Sequence, residues 1–218
     1  MANGKKLRAF DNLKRSLAGE LHYDGFTCGR YATDASIYQM MPYGVVVPKT
    51  NDDIKAAISF CNDQGMALLP RGGGTSQCGQ TVNNALVLDN TKYLNSILEL
   101  DVKNQRCVVQ PGIVLDELNR QLKPHGLWFP VDVSTSSRAT IGGMTANNSC
   151  GGRSIRYGMM RDNVHAIDAF LADGSHSHFG AYDPTKLPPS GRLGKVLPDL
   201  LRLGATFEDD ILSSFPKV

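Results

Sequence analysis

The sequence predicts an α+β protein, in which a small parallel α/β part is followed by a mostly antiparallel part with helices. Two observations lead to this expectation. The first is a succession of strand, helix and strand signals around residue 50. The second is the pattern after residue 85, where short apolar runs alternate with turn signals and include one tight hairpin.

The parallel part begins with a buried strand. Residues 45–47 are three valines, which is typical of a strand covered on both faces. Thr50 and Asp53 have the spacing of a capping box and predict a helix that ends at Gly65. Residues 67–69 give a second strand. A strand, helix and strand in this order form a right-handed parallel unit.

The later part is predicted to be built mainly from short strands. Apolar residues at helical spacing from Val114 to Leu122 predict one helix, with Gly126 as its C-cap. Asp173-Gly174 is a preferred two-residue hairpin turn. Strands are predicted over residues 85–88, 96–100, 106–110, 165–172 and 175–179.

The chain is predicted to divide into three parts. Residues 1–40 hold an amphipathic helix and a loop-rich lead-in. Residues 41–180 form the main domain, with subdomains over about residues 41–90 and 91–180. Residues 181–218 are rich in proline and are expected to connect to a further domain.

Composition excludes several classes of function. The 23 basic and 21 acidic side chains give a net charge of +2, which offers no electrostatic reason for nucleic acid binding. No apolar run approaches the about 20 residues that a transmembrane helix needs. The 5 cysteines are scattered without a Cys-x-x-Cys, so we interpret them as reduced thiols of a cytoplasmic protein. Their spacing excludes an iron–sulfur cluster within this chain.

Two clusters of polar residues have alternative interpretations. His176 and His178 share one face of a predicted strand, but no third ligand is near in the sequence. We therefore interpret the pair as part of a solvated hairpin and predict no metal site. Arg153, Arg156 and Arg161 could either meet cofactor phosphates or cover a domain face, and the sequence leaves both open.

A glycine-rich loop, residues 70–76 (Pro-Arg-Gly-Gly-Gly-Thr-Ser), directly follows the second strand. Three consecutive glycines allow backbone N–H groups to converge on an anion, and the hydroxyls of Thr75 and Ser76 add donors. No Gly-Lys-Ser/Thr follows, which excludes a Walker A loop. Gln77 occupies the place of the third glycine of the Rossmann motif. The loop is therefore predicted to hold a diphosphate, whereas three glycines taken alone are equally typical of a flexible turn.

A second segment, residues 139–152, alternates small residues with hydrogen-bonding ones. A tightly packed helix start would explain its glycines. It would not explain the adjacent Asn147 and Asn148, because buried amides without partners are costly. A flat polar ligand lying against this segment explains both features.

These segments belong to an ordered set of motifs: Pro-Arg-Gly-Gly-Gly-Thr-Ser at 70–76, Pro-Gly at 111–112, Gly-Leu-Trp-Phe-Pro-Val-Asp at 126–132, Thr-Ile-Gly-Gly at 140–143, Asp-Asn-Val at 162–164 and Ala-Asp-Gly at 172–174. In this order the sequence resembles the FAD-binding (PCMH-type) domain of the vanillyl-alcohol oxidase and p-cresol methylhydroxylase superfamily. It is most similar to bacterial FAD-linked oxidases of the glycolate oxidase, D-lactate dehydrogenase and D-2-hydroxyglutarate dehydrogenase type, some of which carry an iron–sulfur domain. The resemblance covers about residues 30–174.

The resemblance implies FAD as the cofactor, with the loop at 71–76 on its diphosphate and the backbone of Val164 on its adenine. The family's usual Asp-Pro-Ser-Ser is here Asp-Val-Ser-Thr, at residues 132–135. The implied cofactor-binding residues are Arg71, Gly72, Gly73, Gly74, Thr75, Ser76, Pro111, Gly112, Pro130, Asp132, Ser134, Ser136, Thr140, Ile141, Gly142, Gly143, Asn147, Asn148, Ser149, Gly151 and Val164.

The resemblance also implies what to expect of the whole enzyme. Members that attach FAD covalently often have histidine where this chain has Thr75, so non-covalent binding is expected. The family's Gly-x-Glu-Gly segment and substrate domain are not found. We therefore expect catalytic residues, and any iron–sulfur cluster, beyond Val218, and no activity from these residues alone. The expected reaction is dehydrogenation of a D-2-hydroxy acid with electrons passing to an acceptor other than oxygen, in the cytoplasm or peripherally at the inner membrane.

Two other functions remain open at this point. One is the cofactor domain of an enzyme similar to the NADPH-dependent enolpyruvyl-sugar reductases, which share the cofactor fold. The other is a non-catalytic nucleotide-binding module.

Overall fold

Buried strands form the centre of the first part of the protein. In the computed structural model, which describes residues 2–181, 183 and 191–216, β2 (Gly44–Val47) and β3 (Leu68–Arg71) each pair in parallel with β4 (Leu86–Asp89). β1 (Glu20–His22) pairs antiparallel with β2, which gives the order β1-β2-β4-β3. Every residue of β2 and β4 is buried, which explains their continuous apolar runs.

One strand differs from its prediction. The sequence pattern places β4 at the start of the mostly antiparallel part, whereas the structure inserts it between β2 and β3 as a parallel strand. Turn signals alone did not reveal this, because parallel neighbours are joined by long crossovers and not by adjacent turns. The predicted parallel arrangement of β2 and β3 is confirmed, although they are not direct neighbours.

The helix between β2 and β3, α3 (Asn51–Gln64), has the predicted capping box. Thr50 Oγ1 accepts from Asp53 N at 3.2 Å, and the Asp53 carboxylate accepts from the N–H groups of Thr50, Lys49 and Ala18. Burial would raise the pKa of Asp53, but these donors outweigh it and lower that pKa below its usual value. Gly65 ends the helix with φ of 59°, as predicted.

The N-terminal residues add a helix to this sheet. Phe10 and Leu13 of α1 (Ala2–Ser16) are buried in one core cluster with residues of β1, β2, α3 and β4. The lead-in predicted to be irregular contains a short helix, α2 (Gly25–Arg30), whose N-cap Asp24 accepts from Thr27 N at 2.8 Å. Six residues are too few for helical periodicity to be visible in the sequence.

A second core cluster lies beyond β4. It contains Ile113, Leu118, Val131 and Met160. The predicted helix is confirmed and continues as a 3-10 turn that Gly126 ends with φ of 69°. The elements of this part are β5 (Ile97–Asp101), β6 (Arg106–Val109), α4 (Leu115–Leu122), the 3-10 helix Lys123–His125, α5 (Ile141–Ala146), α6 (Ser154–Tyr157) and α7 (Met160–Asn163), with β5 and β6 antiparallel.

The chain divides into two compact units, residues 1–164 and 165–218. In the second unit the predicted hairpin is confirmed, with Gly174 at φ of 79°. Residues 191–216, expected to be a connector, form two helices; Pro184, Pro188 and Pro189 lie outside the described residues. The elements are β7 (Ile167–Phe170), β8 (His176–Phe179), α8 (Gly191–Thr206) and α9 (Glu208–Ser214).

The predicted α+β class is confirmed by this mixture of helices, one mostly parallel sheet and two antiparallel hairpins. Among the described residues, no helix has the length and apolar character to cross a membrane. The three-part domain boundaries stay a prediction.

Candidate functional site

A cavity of about 380 Å³ lies in the first unit, between the loop that follows β3 and the segment around α5. Its volume is within the range of small-ligand pockets. Most of its lining residues are small or carry a hydroxyl or amide. They are Gly72, Gly73, Gly74, Thr75, Ser76, Gln77, Gln80, Thr81, Val133, Thr135, Ala139, Thr140, Gly143, Met144, Asn147 and Ser149.

The glycine loop forms one wall of the cavity and packs closely on the opposite segment. A Cβ atom at Gly73 would lie 2.2 Å from the carbonyl oxygen of Arg138. Gly74 has φ of +65°, a conformation that residues with a side chain rarely adopt. The loop therefore requires glycine both for close approach and for its backbone path.

The N–H groups of the glycine loop are available to a bound group. Within the described part of the chain, none of the backbone N–H groups of residues 72–76 donates to a protein acceptor. Backbone donors in folded proteins almost always have a partner, which is either another protein group, water or a ligand. A run of such donors on a glycine-rich turn is the arrangement that binds anionic oxygens.

The glycine loop is supported from behind by the lead-in segment, residues 31–35. Ala35 N donates to Gly74 O at 3.1 Å. The Arg71 guanidinium donates to Thr33 O and Tyr31 O in that segment, and to Thr81 O at 2.9 Å. Arg71 therefore does not line the cavity, although the sequence places it among the cofactor-binding residues.

The opposite wall is built on the first turn of α5, whose N–H groups are already used. Ile141 N donates to Ile113 O, and Gly142 N donates to Pro111 O, each at 2.9 Å. Gly143 N donates to Thr140 Oγ1 at 3.3 Å. This wall can therefore offer side chains to a ligand, but few backbone donors from its helix start.

The cavity has a neutral lining. None of the described residues that line it is acidic or basic. An anion bound there would be held by N–H groups and hydroxyls and would meet no carboxylate from the lining.

The structure brings together part of the predicted site. The predicted residues that line the cavity are Gly72, Gly73, Gly74, Thr75, Ser76, Thr140, Gly143, Asn147 and Ser149. The predicted residues that do not line it are Arg71, Pro111, Gly112, Pro130, Asp132, Ser134, Ser136, Ile141, Gly142, Asn148, Gly151 and Val164. Their contacts with a cofactor stay predictions.

Several of these outlying residues have a structural role. Pro111 and Gly142 pack on each other, since a Cβ at Gly142 would lie 2.6 Å from Pro111 Cβ. Asn148 Oδ1 accepts from Arg161 N, and Asp132 Oδ1 accepts from Arg153 N, both at 2.9 Å. These two side-chain oxygens thus accept hydrogen bonds from the protein itself.

Sequence reasoning missed some lining residues. Gln77 and Gln80 follow the glycine loop directly, so their proximity to it was a usable signal. Thr135 lies between the two predicted serines, 134 and 136, and lines the cavity in their place. The residues not foreseen are Gln77, Gln80, Thr81, Val133 and Thr135, whereas Ala139 and Met144 lie in the segment 139–152 that was predicted to border a ligand.

The arginines that follow α5 lie outside the lining of the cavity. The Arg153 guanidinium lies 5.3 Å from the Trp128 ring centroid, and that of Arg156 lies 5.4 Å from the Tyr157 ring centroid. Arg161 pairs with Asp162 at 3.8 Å. In the second unit, His178 Nδ1 lies 3.0 Å from Asp168 Oδ1 on the opposite strand.

Comparison with protein families identifies one match, the FAD binding domain, over residues 42–180. The D-2-hydroxyglutarate dehydrogenase of Pseudomonas putida is 37% identical over 92% of this chain but only 21% of its own length. The glycolate oxidase subunit GlcD of Bacillus subtilis is 35% identical over 86% of this chain and 43% of its own. The chain thus spans less than half the length of both relatives.

A solved structure shows the same fold at low identity. Alkyldihydroxyacetonephosphate synthase matches with a TM-score of 0.70 and 20% identity, over 80% of this chain and 34% of its own. Its fold and that of the other similar structures is the PCMH-type FAD-binding fold, so the predicted fold is confirmed.

Proposed function

The chain belongs to the FAD binding domain family, and on that premise we propose that it is the cofactor-binding part of a longer dehydrogenase of a D-2-hydroxy acid. D-Lactate, glycolate and D-2-hydroxyglutarate are the substrate candidates. The proposal is supported by 37% and 35% identity to relatives named for D-2-hydroxyglutarate and glycolate. The observation that carries it is the neutral cavity bordered by the unpaired N–H groups of residues 72–76.

We propose that the FAD diphosphate lies on the glycine loop. Two features support the fit. Within the described residues, the N–H groups of residues 72–76 have no protein acceptor. A Cβ atom at Gly73 would overlap the carbonyl oxygen of Arg138 on the opposite wall, so only glycine fits there. Thr75 and Ser76 add hydroxyl donors on the same wall. Carboxylates that would repel a diphosphate are absent from the described lining.

FAD supplies the hydride-accepting chemistry, while the protein holds and orients it. Thr140, Asn147 and Ser149 line the second wall and offer hydroxyl and amide groups to the polar edges of a bound dinucleotide. We propose that the residues that bind the hydroxy acid and take its hydroxyl proton lie in a part of the enzyme that this chain does not include. The electron acceptor is proposed to be a molecule other than oxygen, and the location cytoplasmic or peripheral at the inner membrane.

FAD is expected to be bound non-covalently, because Thr75 occupies the position from which a histidine would attach to the flavin. Denaturation with acid or heat should release all the flavin into the supernatant. Yellow colour that stays with the precipitated polypeptide would contradict this.

The function is tested by anaerobic reduction of the flavin with a panel of D-lactate, glycolate and D-2-hydroxyglutarate and their L-enantiomers where these exist. The full-length protein should lose its flavin absorbance with one of the substrates named above, and residues 1–218 alone should not respond. Reduction by NADPH and by none of the acids would instead identify a reductase similar to the enolpyruvyl-sugar enzymes. FAD binding with no response to either donor would identify a non-catalytic module.

A further inference from the structure

The glycine loop faces an electrostatic difficulty that its lining does not solve. At neutral pH the diphosphate of a dinucleotide carries about two negative charges, and residues 72–76 offer only the partial charges of N–H groups and hydroxyls. The described lining of the cavity contains no lysine or arginine. Among the described residues, a full positive charge near the loop can therefore come only from behind the lining.

Arg71 is the cation behind the glycine loop. It is the last residue of β3 and directly precedes Gly72. A Cβ atom built on Gly74 would lie 2.6 Å from Arg71 Nη2, so the guanidinium packs directly against the loop backbone. The Arg71 side chain thus lies on the far side of a residue that lines the cavity.

The partners of this guanidinium leave its charge in place. Nη1 donates to Tyr31 O and Thr81 O, at 3.2 and 2.9 Å, and Nη2 donates to Thr33 O at 2.8 Å. Carbonyl oxygens satisfy the donors without cancelling the charge, and within the described residues Arg71 forms no ion pair with a carboxylate. Asp34 and Asp89 are close enough to favour the charged form, while burial disfavours it and lowers the Arg71 pKa. An arginine remains protonated in such a setting.

The same contacts connect three parts of the chain. Through Arg71, the end of β3 is joined to the lead-in segment at Tyr31 and Thr33 and to Thr81, which follows the loop. The Tyr31 ring centroid also lies 5.2 Å from the guanidinium carbon. The planar fork of arginine can make these divergent bonds at once, whereas a lysine ammonium is a single point charge.

We propose that Arg71 is a positioning residue for FAD, which holds the glycine loop in shape from behind and supplies the positive charge that the diphosphate requires. It does not touch the cofactor. The proposal rests on the proposed placement of the diphosphate on this loop, and it assigns to Arg71 a role distinct from the direct contact that the sequence suggested.

The test is titration of the apo form of the full-length protein with FAD, followed by flavin fluorescence, for Arg71→Met, Arg71→Lys and the control Arg30→Met. Arg30 ends α2 next to Tyr31 and is exposed, so its substitution removes the same charge from the surface. We expect Arg71→Met to raise the Kd of FAD about 100-fold and Arg71→Lys about tenfold, because the lysine restores charge without the fork. Arg30→Met should change the Kd less than about threefold.

A second readout separates charge from folding. The dependence of the FAD Kd on ionic strength should be shallower in Arg71→Met than in the wild type, because one attractive charge is lost, and Arg71→Lys should restore it. A merely structural role would weaken binding without changing this dependence. ADP affinity should fall in parallel with FAD affinity, since both ligands carry the diphosphate.

The outcomes distinguish this proposal from the one on which it rests. If Arg71→Met is folded and keeps the wild-type Kd of FAD, the role proposed for Arg71 is wrong. The same holds if the dependence of that Kd on ionic strength is unchanged in Arg71→Met. If Gly73→Val also binds FAD normally, the placement of the diphosphate on this loop is wrong as well. Should Arg71→Met fail to fold, the Lys variant decides, because it keeps the charge and loses the fork, and a wild-type Kd there would overturn the positioning role.

Discussion

The two glycine-rich segments of this protein have similar composition and both pack closely on a neighbour, but their backbone N–H groups are used differently. In the loop at 72–76 the N–H groups have no protein acceptor within the described residues. At the start of α5 the N–H groups of Ile141, Gly142 and Gly143 all donate to protein oxygens. Glycine permits close approach in both segments, but only the first segment leaves its N–H groups available to a ligand.

The comparison shows why a motif that matches a cofactor site does not consist only of cofactor contacts. Pro111 and Gly142 both belong to the motif set, and the structure packs one against the other. A ligand-binding wall needs a second layer that fixes its shape, and that layer has sequence constraints of its own. Substitutions can distinguish the two layers, because a change in the wall that faces the ligand should weaken FAD binding, and a change in the layer behind it should lower the free energy of unfolding.

The largest effect is expected for Gly73→Val. Its side chain would overlap the carbonyl oxygen of Arg138, 2.2 Å from the Cβ position, and would force apart the two walls of the cavity. FAD affinity should fall by more than about 100-fold, since several charge-assisted hydrogen bonds are lost together. Fluorescence titration of the full-length protein measures this.

The matched control for this substitution is Gly29→Val. Gly29 lies in α2 with nothing within 4 Å of its Cβ position, so valine meets no neighbour there. Far-UV circular dichroism should show a folded protein for both variants. A Gly73→Val protein with normal FAD affinity would mean that the loop does not border the diphosphate.

A smaller effect is expected for Asn147→Asp. Asn147 lines the cavity, so a carboxylate there would repel the anionic part of the cofactor and weaken FAD binding about tenfold. Asn148→Asp is the matched control, because Asn148 Oδ1 accepts from Arg161 N and an aspartate keeps that bond. Equal Kd values of FAD for Asn147→Asp and Asn148→Asp would contradict the proposal that Asn147 faces the bound cofactor.

Much of the fold could be predicted because its signals are local. The capping box of Thr50 and Asp53, the αL position of Gly65 and the hairpin turn at Gly174 depend on neighbours in sequence, and each is confirmed. The position of β4 between β2 and β3 depends on a long-range pairing that no local pattern encodes. Helices α8 and α9 were hidden by the prolines around them.

The sequence predicted the types of residue that line the site better than the direction of each side chain. Glycines and hydroxyl-bearing residues in the sequence indicated both walls, but the direction of each side chain depends on tertiary contacts that the sequence does not show. Arg71 illustrates the limit, since its place in the motif suggested a phosphate contact and the structure directs it to carbonyl oxygens behind the loop. Trp128 is a second example, because its exposed fraction of 43% depends on tertiary contacts that the motif does not reveal.

The smallest effect on FAD affinity is expected for Gly142→Ala, which should act on stability. The new methyl would lie 2.6 Å from Pro111 Cβ and 2.8 Å from its carbonyl oxygen, so the second layer must shift. Overpacking of this kind costs about 1–3 kcal/mol of unfolding free energy. The gain in helix propensity from glycine to alanine, at most about 1 kcal/mol, offsets only part of that cost.

Chemical denaturation of the full-length protein should therefore give a lower midpoint for Gly142→Ala. The Kd of FAD should change less than about threefold, because Gly142 does not line the cavity and its Cβ position faces Pro111. Gly29→Ala is the control, since it is also a helical glycine of the first unit but has open space around it, and it should keep or raise the midpoint. A Gly142→Ala protein of normal stability with strongly weakened FAD binding would reverse the distinction between the two segments. The glycines at the start of α5 would then be in contact with the cofactor itself, and not with the layer that supports its wall.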